Sequence, residues 1–378
     1  MSVTKKLYGR ARVACVFMAI TLLLAGCAQG GHGASAGEAA GLPPLAEIAA
    51  AANPAALSGP TSVPAAHSAI EPITKNPQPQ LPAKVLSVPR TGNAEVIVKS
   101  VERIVPLSLT GAVADYVQAY GFANNIVGRD ISTSIPGRDE QIPVVTRGGH
   151  SVDAESVLSL NPTLVITDGT VGPADVIAQL ADAGVAVVYV DPAASYEESY
   201  KQAEQVAAAL GVPELAEQVI SRARAAITAK EAEIARLRPN DEGKIPSAAF
   251  LYMRGAGIFY LFGEGSGIDA LFASLGVKDV AKQIGWQGQR PMNDEALVSA
   301  DPQVLVVMTK GLASVGGVDG MLTTHPATAL TTAGKNRRVI DVPDTALFTS
   351  AVRVPQVLDG LARAFYAPES LPASKATK

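Results

Sequence analysis

The chain has 378 residues, 48% hydrophobic and 17% charged, with a formal net charge of -4, which is apolar material enough for a sizeable core in two compact lobes. An acidic balance without any long Lys/Arg block excludes the basic surface that nucleic-acid binding requires. Two cysteines, Cys15 and Cys27, cannot frame a zinc site or a disulfide network for the chain that follows them, and four histidines are too few for a His-rich metal cage.

Lys5, Lys6, Arg10 and Arg12 precede an apolar run over 13–25, which is too short to span a bilayer and has the length of a signal-peptide core. The run ends in Leu24-Ala25-Gly26-Cys27, the form of a bacterial lipobox. Residues 1–27 therefore read as a lipoprotein signal peptide, with Cys27 acylated and left as the new amino terminus. The mature chain is expected on the extracytoplasmic face of the cell membrane, held by a lipid anchor. Residues 28–84 contain no Phe, Tyr or Trp and are dominated by Ala, Gly, Pro and Ser. This composition predicts a disordered tether, with a reach of about 45 Å as a flexible coil. His32 and His67 fall in it and are expected to hold no metal.

From 85 onward β-rich and helical stretches alternate, which predicts an α/β protein with mainly parallel sheets. An N-terminal lobe over 85–195 has strands at 96–98, 103–105, 163–167 and 185–190, and helices at 111–121, 153–160 and 174–183. A helical connector follows over 196–238, broken at Gly211-Val212-Pro213. Beyond the break, 214–237 carries one apolar stripe and reads as a single helix about 36 Å long. A C-terminal lobe and tail, 239–378, has strands at 248–253, 258–261, 304–308 and 339–342, and helices at 268–275, 294–299 and 355–365. The lobes look like copies: 152–162 lies over 292–302, each a short helix stopping before an Asn/Asp-Pro turn, and 111–121 with Asp115 lies over 265–276 with Asp269. Two lobes with mainly parallel central sheets, joined by one long backbone helix, are the expected architecture.

His150 follows Gly148-Gly149 and precedes the helix predicted from near 152. A helix N-terminus disfavours imidazolium, which would keep the ring neutral and able to ligate a metal; an ordinary loop histidine is the alternative. Tyr252 and Arg254, two apart in a strand, emerge on one face. An arginine beside a phenol stabilises the phenolate, the form that bonds a hard ferric ion; a cleft-wall tyrosine beside a solvated arginine is the alternative. Met308 ends a strand and faces either a ligand or the core. Glu155 and Glu295 each stand seven residues before the proline of their turn, as equivalent rim carboxylates or as solvated helix-face residues. Trp286 reads as a packing residue and His325 as a surface-loop residue. No nucleophile elbow, phosphate loop or paired catalytic carboxylate occurs, and Gly263-Glu264-Gly265-Ser266-Gly267 lacks the lysine of a P-loop, so no enzyme is expected.

The segments Arg103-Ile104-Val105-Pro106-Leu107, Val127-Gly128-Arg129-Asp130, Pro143-Val144-Val145-Thr146-Arg147-Gly148-Gly149-His150, Leu160-Asn161-Pro162-Thr163-Leu164-Val165 and Tyr252-Met253-Arg254-Gly255 resemble the helical-backbone, cluster A substrate-binding proteins of bacterial ABC importers. The haemin-binding lipoproteins of Gram-positive actinobacteria are the strongest match. The resemblance implies the type III substrate-binding protein fold and ferric haem b as the transported ligand. It implies His150 and Tyr252 as axial ligands, one from each lobe, with Arg254 hydrogen-bonded to the tyrosine. Met308 is implied as a pocket contact. Arg147 is a candidate partner for a propionate, as are Arg129 and Arg290. Glu155 and Glu295 would dock a monomeric receptor on a dimeric permease with a cytoplasmic ATPase. A cobalamin or ferric-siderophore receptor of the same fold is the alternative, in which no side chain need touch the metal. An adhesion protein, or a haem-dependent enzyme that kept the clamp, would be a different class.

Overall fold

The structure, a computed structural model, describes residues 42–64, 68–89, 92–347 and 350–372. The signal segment, Cys15, Cys27, His32 and His67 lie outside the described residues. In chain order, β1 (Thr61–Ser62) is followed by an antiparallel hairpin of β2 (Ala83–Ser87) and β3 (Ala94–Val98), then β4 (Ile104–Leu107) and α1 (Ala112–Ala119). A second small hairpin, β5 (Thr146–Arg147) with β6 (Ser151–Val152), leads into α2 (Ala154–Ser159), β7 (Leu164–Thr167), α3 (Ala174–Asp182) and β8 (Ala186–Tyr189). Helices α4 (Tyr196–Ala209) and α5 (Ala216–Leu237) come next. The remainder comprises β9 (Ser247–Arg254), β10 (Ile258–Phe262), α6 (Ile268–Leu275), β11 (Lys278–Asp279), α7 (Val280–Gln283), β12 (Gln289–Pro291) and α8 (Asp294–Ala300). It closes with β13 (Val304–Met308), α9 (Thr309–Ser314), α10 (Gly317–Thr324), α11 (Pro326–Leu330), α12 (Thr332–Lys335), β14 (Val339–Val342) and α13 (Val354–Tyr366).

Strands β4, β7 and β8 form a parallel sheet in that order. The second sheet runs β1-β14-β13-β9-β10-β12 with β11 beside β9, and its antiparallel pairs are β9–β10 and β10–β12. Every residue of β4, β7, β13 and β14 is buried, as continuous apolar strands are when both faces of a parallel sheet are covered. The expected strand at 96–98 belongs to neither sheet. It lies in β3, whose antiparallel pairing with β2 forms a separate hairpin.

The repeat is written into the backbone. Asp153 caps α2 through Ser156 N at 2.7 Å, and Asn293 caps α8 through Ala296 N at 3.0 Å. Asn161 and Asp301, each before a proline, sit at φ 46° and 43°, the left-handed region that Asn and Asp tolerate best among side-chain-bearing residues. The looser correspondence fails at its aspartates. Gly111 and Gly267 cap α1 and α6 alike, with φ 79° and 88°. Asp115, however, lies buried against Arg353 Nε at 2.6 Å, whereas Asp269 accepts from Gly265 N and Gly267 N.

The long helix is α5, with 22 residues and so about 33 Å in length. It begins later than expected because Pro213–Leu215 winds as a 3-10 turn. Its buried stripe includes Val219, Ile220, Ala223, Ile227, Ile234 and Leu237, and also Lys230.

The tether expected over 28–84 is corrected from residue 42 onward. Leu45 and Val63 join the main core, β1 extends the larger sheet beside β14, and Arg338 Nη1 donates to Thr61 Oγ1 at 2.7 Å. Further along, Ile73 N donates to Ala119 O and Gln80 N to Gly211 O. The segment lacks the aromatics to build its own core. Its spaced Leu, Ile and Val residues instead complete a core that the following chain has built. A close fit results at Gly121, whose φ is +92° and whose missing Cβ would overlap the Thr74 carbonyl oxygen. Gly121→Ala is therefore expected to destabilise the protein by about 2 kcal/mol or more in a denaturant titration.

Candidate functional site

Residues alternate across β9, so Ala248, Phe250 and Tyr252 face one way while Ala249, Leu251 and Met253 enter a separate apolar cluster on the other. Register carries the first face sideways. In β10, Ile258, Tyr260 and Phe262 stand opposite Arg254, Tyr252 and Phe250, and Gln289 of β12 stands opposite Phe262. On the other side, β13 brings Met308 one step beyond the paired Val307 and Leu251. Of this sheet face, Tyr252, Arg254, Ile258, Tyr260, Phe262, Gln289 and Met308 form one wall of a cavity of about 770 Å³, a volume within the range of small-molecule and cofactor sites.

The facing wall comes from Leu109 and Thr110 beyond β4, Ala193 and Ala194 beyond β8, Ile131 and Ser132 in the loop between α1 and β5, and Gly149 with His150 in the turn between β5 and β6. Crevices outside the carboxyl ends of strands are where α/β sheets bind ligands. The loop carrying Ile131 and Ser132 is fixed by Asp130, a fully buried carboxylate that accepts from Ser108 N, Ser132 N and Thr133 N at 2.7–2.8 Å. Burial pushes this carboxyl up to about 6 against those donors.

The cavity gathers four of the expected site residues. Arg254 Nε donates to the Tyr252 hydroxyl oxygen at 2.6 Å, and the guanidinium carbon lies 5.7 Å from the ring centroid. Tyr252 also stacks on Phe262, centroids 5.9 Å apart. The cationic donor fixes where the phenol oxygen points, and the oxygen's remaining lone pairs stay available to a metal ion. Met308 lines the same wall, and His150 lines the wall opposite.

His150 does not sit at a helix N-terminus as expected. It occupies the turn of the β5–β6 hairpin, which Gly148 and Gly149 open at φ 56° and 101°, while α2 starts only at Ala154. Its imidazole is nonetheless held below its ordinary range, by burial first and then by the charges of Arg254 and Lys310. Its Nδ1 is buried without a hydrogen-bond partner. A neutral ring with an unpartnered nitrogen beside a cavity has the character of a ligand to be.

Arg147 is a correction. Its side chain is 74% exposed and pairs with Asp153 at 3.1 Å, and it does not line the cavity, because the short hairpin turns it toward the α2 cap. Arg129 is turned inward onto the carbonyl oxygens of Thr133, Asp139 and Ile142. Arg290 stands on exposed β12 outside the lining. The lining cation that sequence reasoning missed is Lys310. The available signal was its place just past the end of a parallel strand, and its backbone N is tied to Asp344 Oδ2 at 3.0 Å.

Glu155 and Glu295 are each the second residue of their helices, α2 and α8, and both are exposed. Neither forms an ion pair with another described residue.

The periplasmic binding protein family model matches residues 107–346. YvrC of Bacillus subtilis (strain 168), an uncharacterized ABC transporter substrate-binding lipoprotein, is 27% identical over 286 residues, 74% of this chain and 85% of that protein. The heme-binding protein HmuT superposes with a TM-score of 0.74 at 35% identity, covering 83% of this chain and 99% of its own. HmuT variants with a tyrosine, an arginine or a histidine changed to alanine superpose at 34% identity with TM-scores of 0.76, 0.75 and 0.73. The periplasmic heme-binding protein RhuT from Roseiflexus sp. RS-1, in apo form, gives a TM-score of 0.62 at 35% identity over 71% of this chain and 98% of its own. The type III architecture of two α/β halves about long helices is common to this chain and these neighbours.

Proposed function

The chain belongs to the periplasmic binding protein family, and on that footing we propose that it captures ferric haem outside the cytoplasmic membrane and hands it to an ABC permease. One observation carries the reading: His150, with its unpartnered nitrogen, and the hydrogen-bonded Tyr252–Arg254 pair line opposite walls of one cavity. Imidazole and phenolate are both axial ligands of haem iron. The same cavity is lined by Leu109, Ile131 and Ile258, 43%, 46% and 40% exposed, an apolar lining left open to solvent as a flat apolar cargo requires. In HmuT the substituted tyrosine and arginine stand two positions apart, as Tyr252 and Arg254 do here, and the histidine precedes them, as His150 does.

Residues from about 85 to 195 and from 239 onward act as the two lobes of this clamp, with 196–238 as the connector between them. Cys27 carries the lipid anchor. The exposed carboxylates Glu155 and Glu295 dock a monomeric receptor on arginines of a dimeric permease driven by a cytoplasmic ATPase, guiding encounter and register more than affinity. Met308 touches the haem face, Lys310 holds a propionate, and the protein releases its cargo unaltered rather than turning it over. Titrating hemin into the chain lacking its first 27 residues is expected to give a stoichiometric complex with a Soret band, which cobalamin and ferric siderophores at equal concentration do not displace. Hemin binding no tighter than to an unrelated acidic protein would refute the reading. Because Arg147 points at the α2 cap, Arg147→Ala is expected to leave the hemin affinity within about twofold of wild type, an exposed ion pair being worth at most about 1 kcal/mol.

A further inference from the structure

The hairpin that carries Tyr252 and Arg254 has a rear face, and its support comes from α9 to α11. Gly255, at the turn with φ 53°, donates from its N–H to Ser314 Oγ at 2.8 Å, and Ser314 Oγ donates in turn to Gly311 O at 2.6 Å. Gly311 itself lies so close to the Met253 carbonyl oxygen that a Cβ would come within 2.7 Å. His325, expected in a surface loop, is instead 8% exposed at the junction of α10 and α11. Its ring stacks flat on Phe259, centroids 4.1 Å apart and planes at 11°, and Phe259 is the cross-strand partner of Met253, the residue between Tyr252 and Arg254. Burial pushes the imidazole below its ordinary value, against a hydrogen bond to the Gly255 backbone and, more weakly, the charge of the Asp294 carboxylate. Its Nε2 is buried without a partner. A neutral, incompletely satisfied polar ring buried behind a strand costs stability that an apolar side chain would not, so its presence there calls for a role beyond filling space.

We propose that His325 is a positioning residue for the tyrosine ligand: stacked against Phe259 on the rear of the β9–β10 hairpin, it holds the strand so that Tyr252 and Arg254 stand paired in the cavity. The ligand in this statement rests on the haem reading above; the mechanism rests on the hairpin alone. Side chains that orient a metal-ligating group from behind typically contribute 10- to 100-fold to affinity. Helix α11 also packs on α8, so the support stands between the ligand hairpin and the helix that carries Glu295.

The test titrates hemin into His325→Ala and His325→Phe, each with and without Arg254→Ala, and follows the tyrosinate-to-iron charge-transfer absorption. His325→Ala is expected to weaken binding about 10-fold and to move that absorption as Arg254→Ala does. His325→Phe, which keeps a stacked ring, should restore both. The double variant His325→Ala/Arg254→Ala should bind no more weakly than Arg254→Ala. Wild-type binding by His325→Ala, or losses that add to those of Arg254→Ala, would overturn the proposal. Amide exchange in the ligand-free protein reads the mechanism without haem: residues 254–258 should exchange faster in His325→Ala while β13 is unchanged, and equal exchange there also overturns it. Should wild type take up no hemin while 254–258 loosens in the variant, the haem reading fails and the positioning role stands.

Discussion

Tyr252→Ala is expected to weaken hemin binding about 100-fold, His150→Ala about 10-fold, and the two together to abolish the stoichiometric Soret complex. The order follows from how each group is held. Tyr252 stands on a paired strand, stacked on Phe262 and hydrogen-bonded by Arg254 at 2.6 Å, so little ordering is left to do when iron arrives. His150 sits in a two-glycine turn whose hairpin is only two residues long on each side, and bonding through it must first fix that turn. Arg254→Ala should fall between them, because the phenol remains but loses the charged donor that orients its oxygen. Absorption spectra of the four proteins, recorded with equimolar hemin, check the order. A Soret band in the double variant equal to that of wild type would mean that the cavity holds haem by its apolar walls alone.

Much of this site was legible because strand periodicity is local. Tyr252 and Arg254 lie two apart in an apolar run, and that spacing alone places them on one face. His150 was legible as a residue but not as a geometry: a Gly-Gly-His sequence suits both a helix entry and a hairpin turn, and only the pairing of Thr146 with Val152 decides between them. Arg147 and Lys310 exchanged roles for a related reason, since which cation reaches a cavity depends on where two loops from distant parts of the chain meet. The misread tether has a different cause. Composition tells whether a segment can bury a core of its own, and 42–84 cannot, but the turn carrying Leu45 packs on α5, and Val63 packs against Gly360 of α13, some three hundred residues further on. Lys230 carries the same lesson inside a helix: it falls on the apolar stripe of α5 between Ile227 and Ile234, where a sequence reader sees a break and the fold supplies a partner.

That partner is Asp359, and its loss is expected to be the most destabilising single change in the protein's helical spine. Lys230 Nζ lies 3.0 Å from Asp359 Oδ2 and 2.6 Å from Glu233 Oε2, and Arg363 Nε lies 2.6 Å from Asp359 Oδ1. The side chains of Lys230, Asp359 and Arg363 are 2%, 0% and 0% exposed. One carboxylate thus serves two buried cations, and Arg363 also donates to the Pro43 carbonyl, tying the amino-terminal segment to the same point. Asp359→Asn keeps the shape and removes the charge, leaving Arg363 with no anionic partner among the described residues and Lys230 with Glu233 alone. Removing one member of a buried ion pair costs about 3–5 kcal/mol, because the remaining charge stays buried without compensation. Lys230→Met should cost less, about 1–2 kcal/mol, since it leaves Asp359 paired with Arg363 and puts an apolar chain into an apolar stripe. Urea titrations of the two variants check the ranking, and a larger loss for Lys230→Met would mean that the lysine, not the carboxylate, is the centre of the cluster. None of the three residues lines the cavity, so the Asp359→Asn protein that remains folded is expected to bind hemin within about twofold of wild type, distant sites contributing independently.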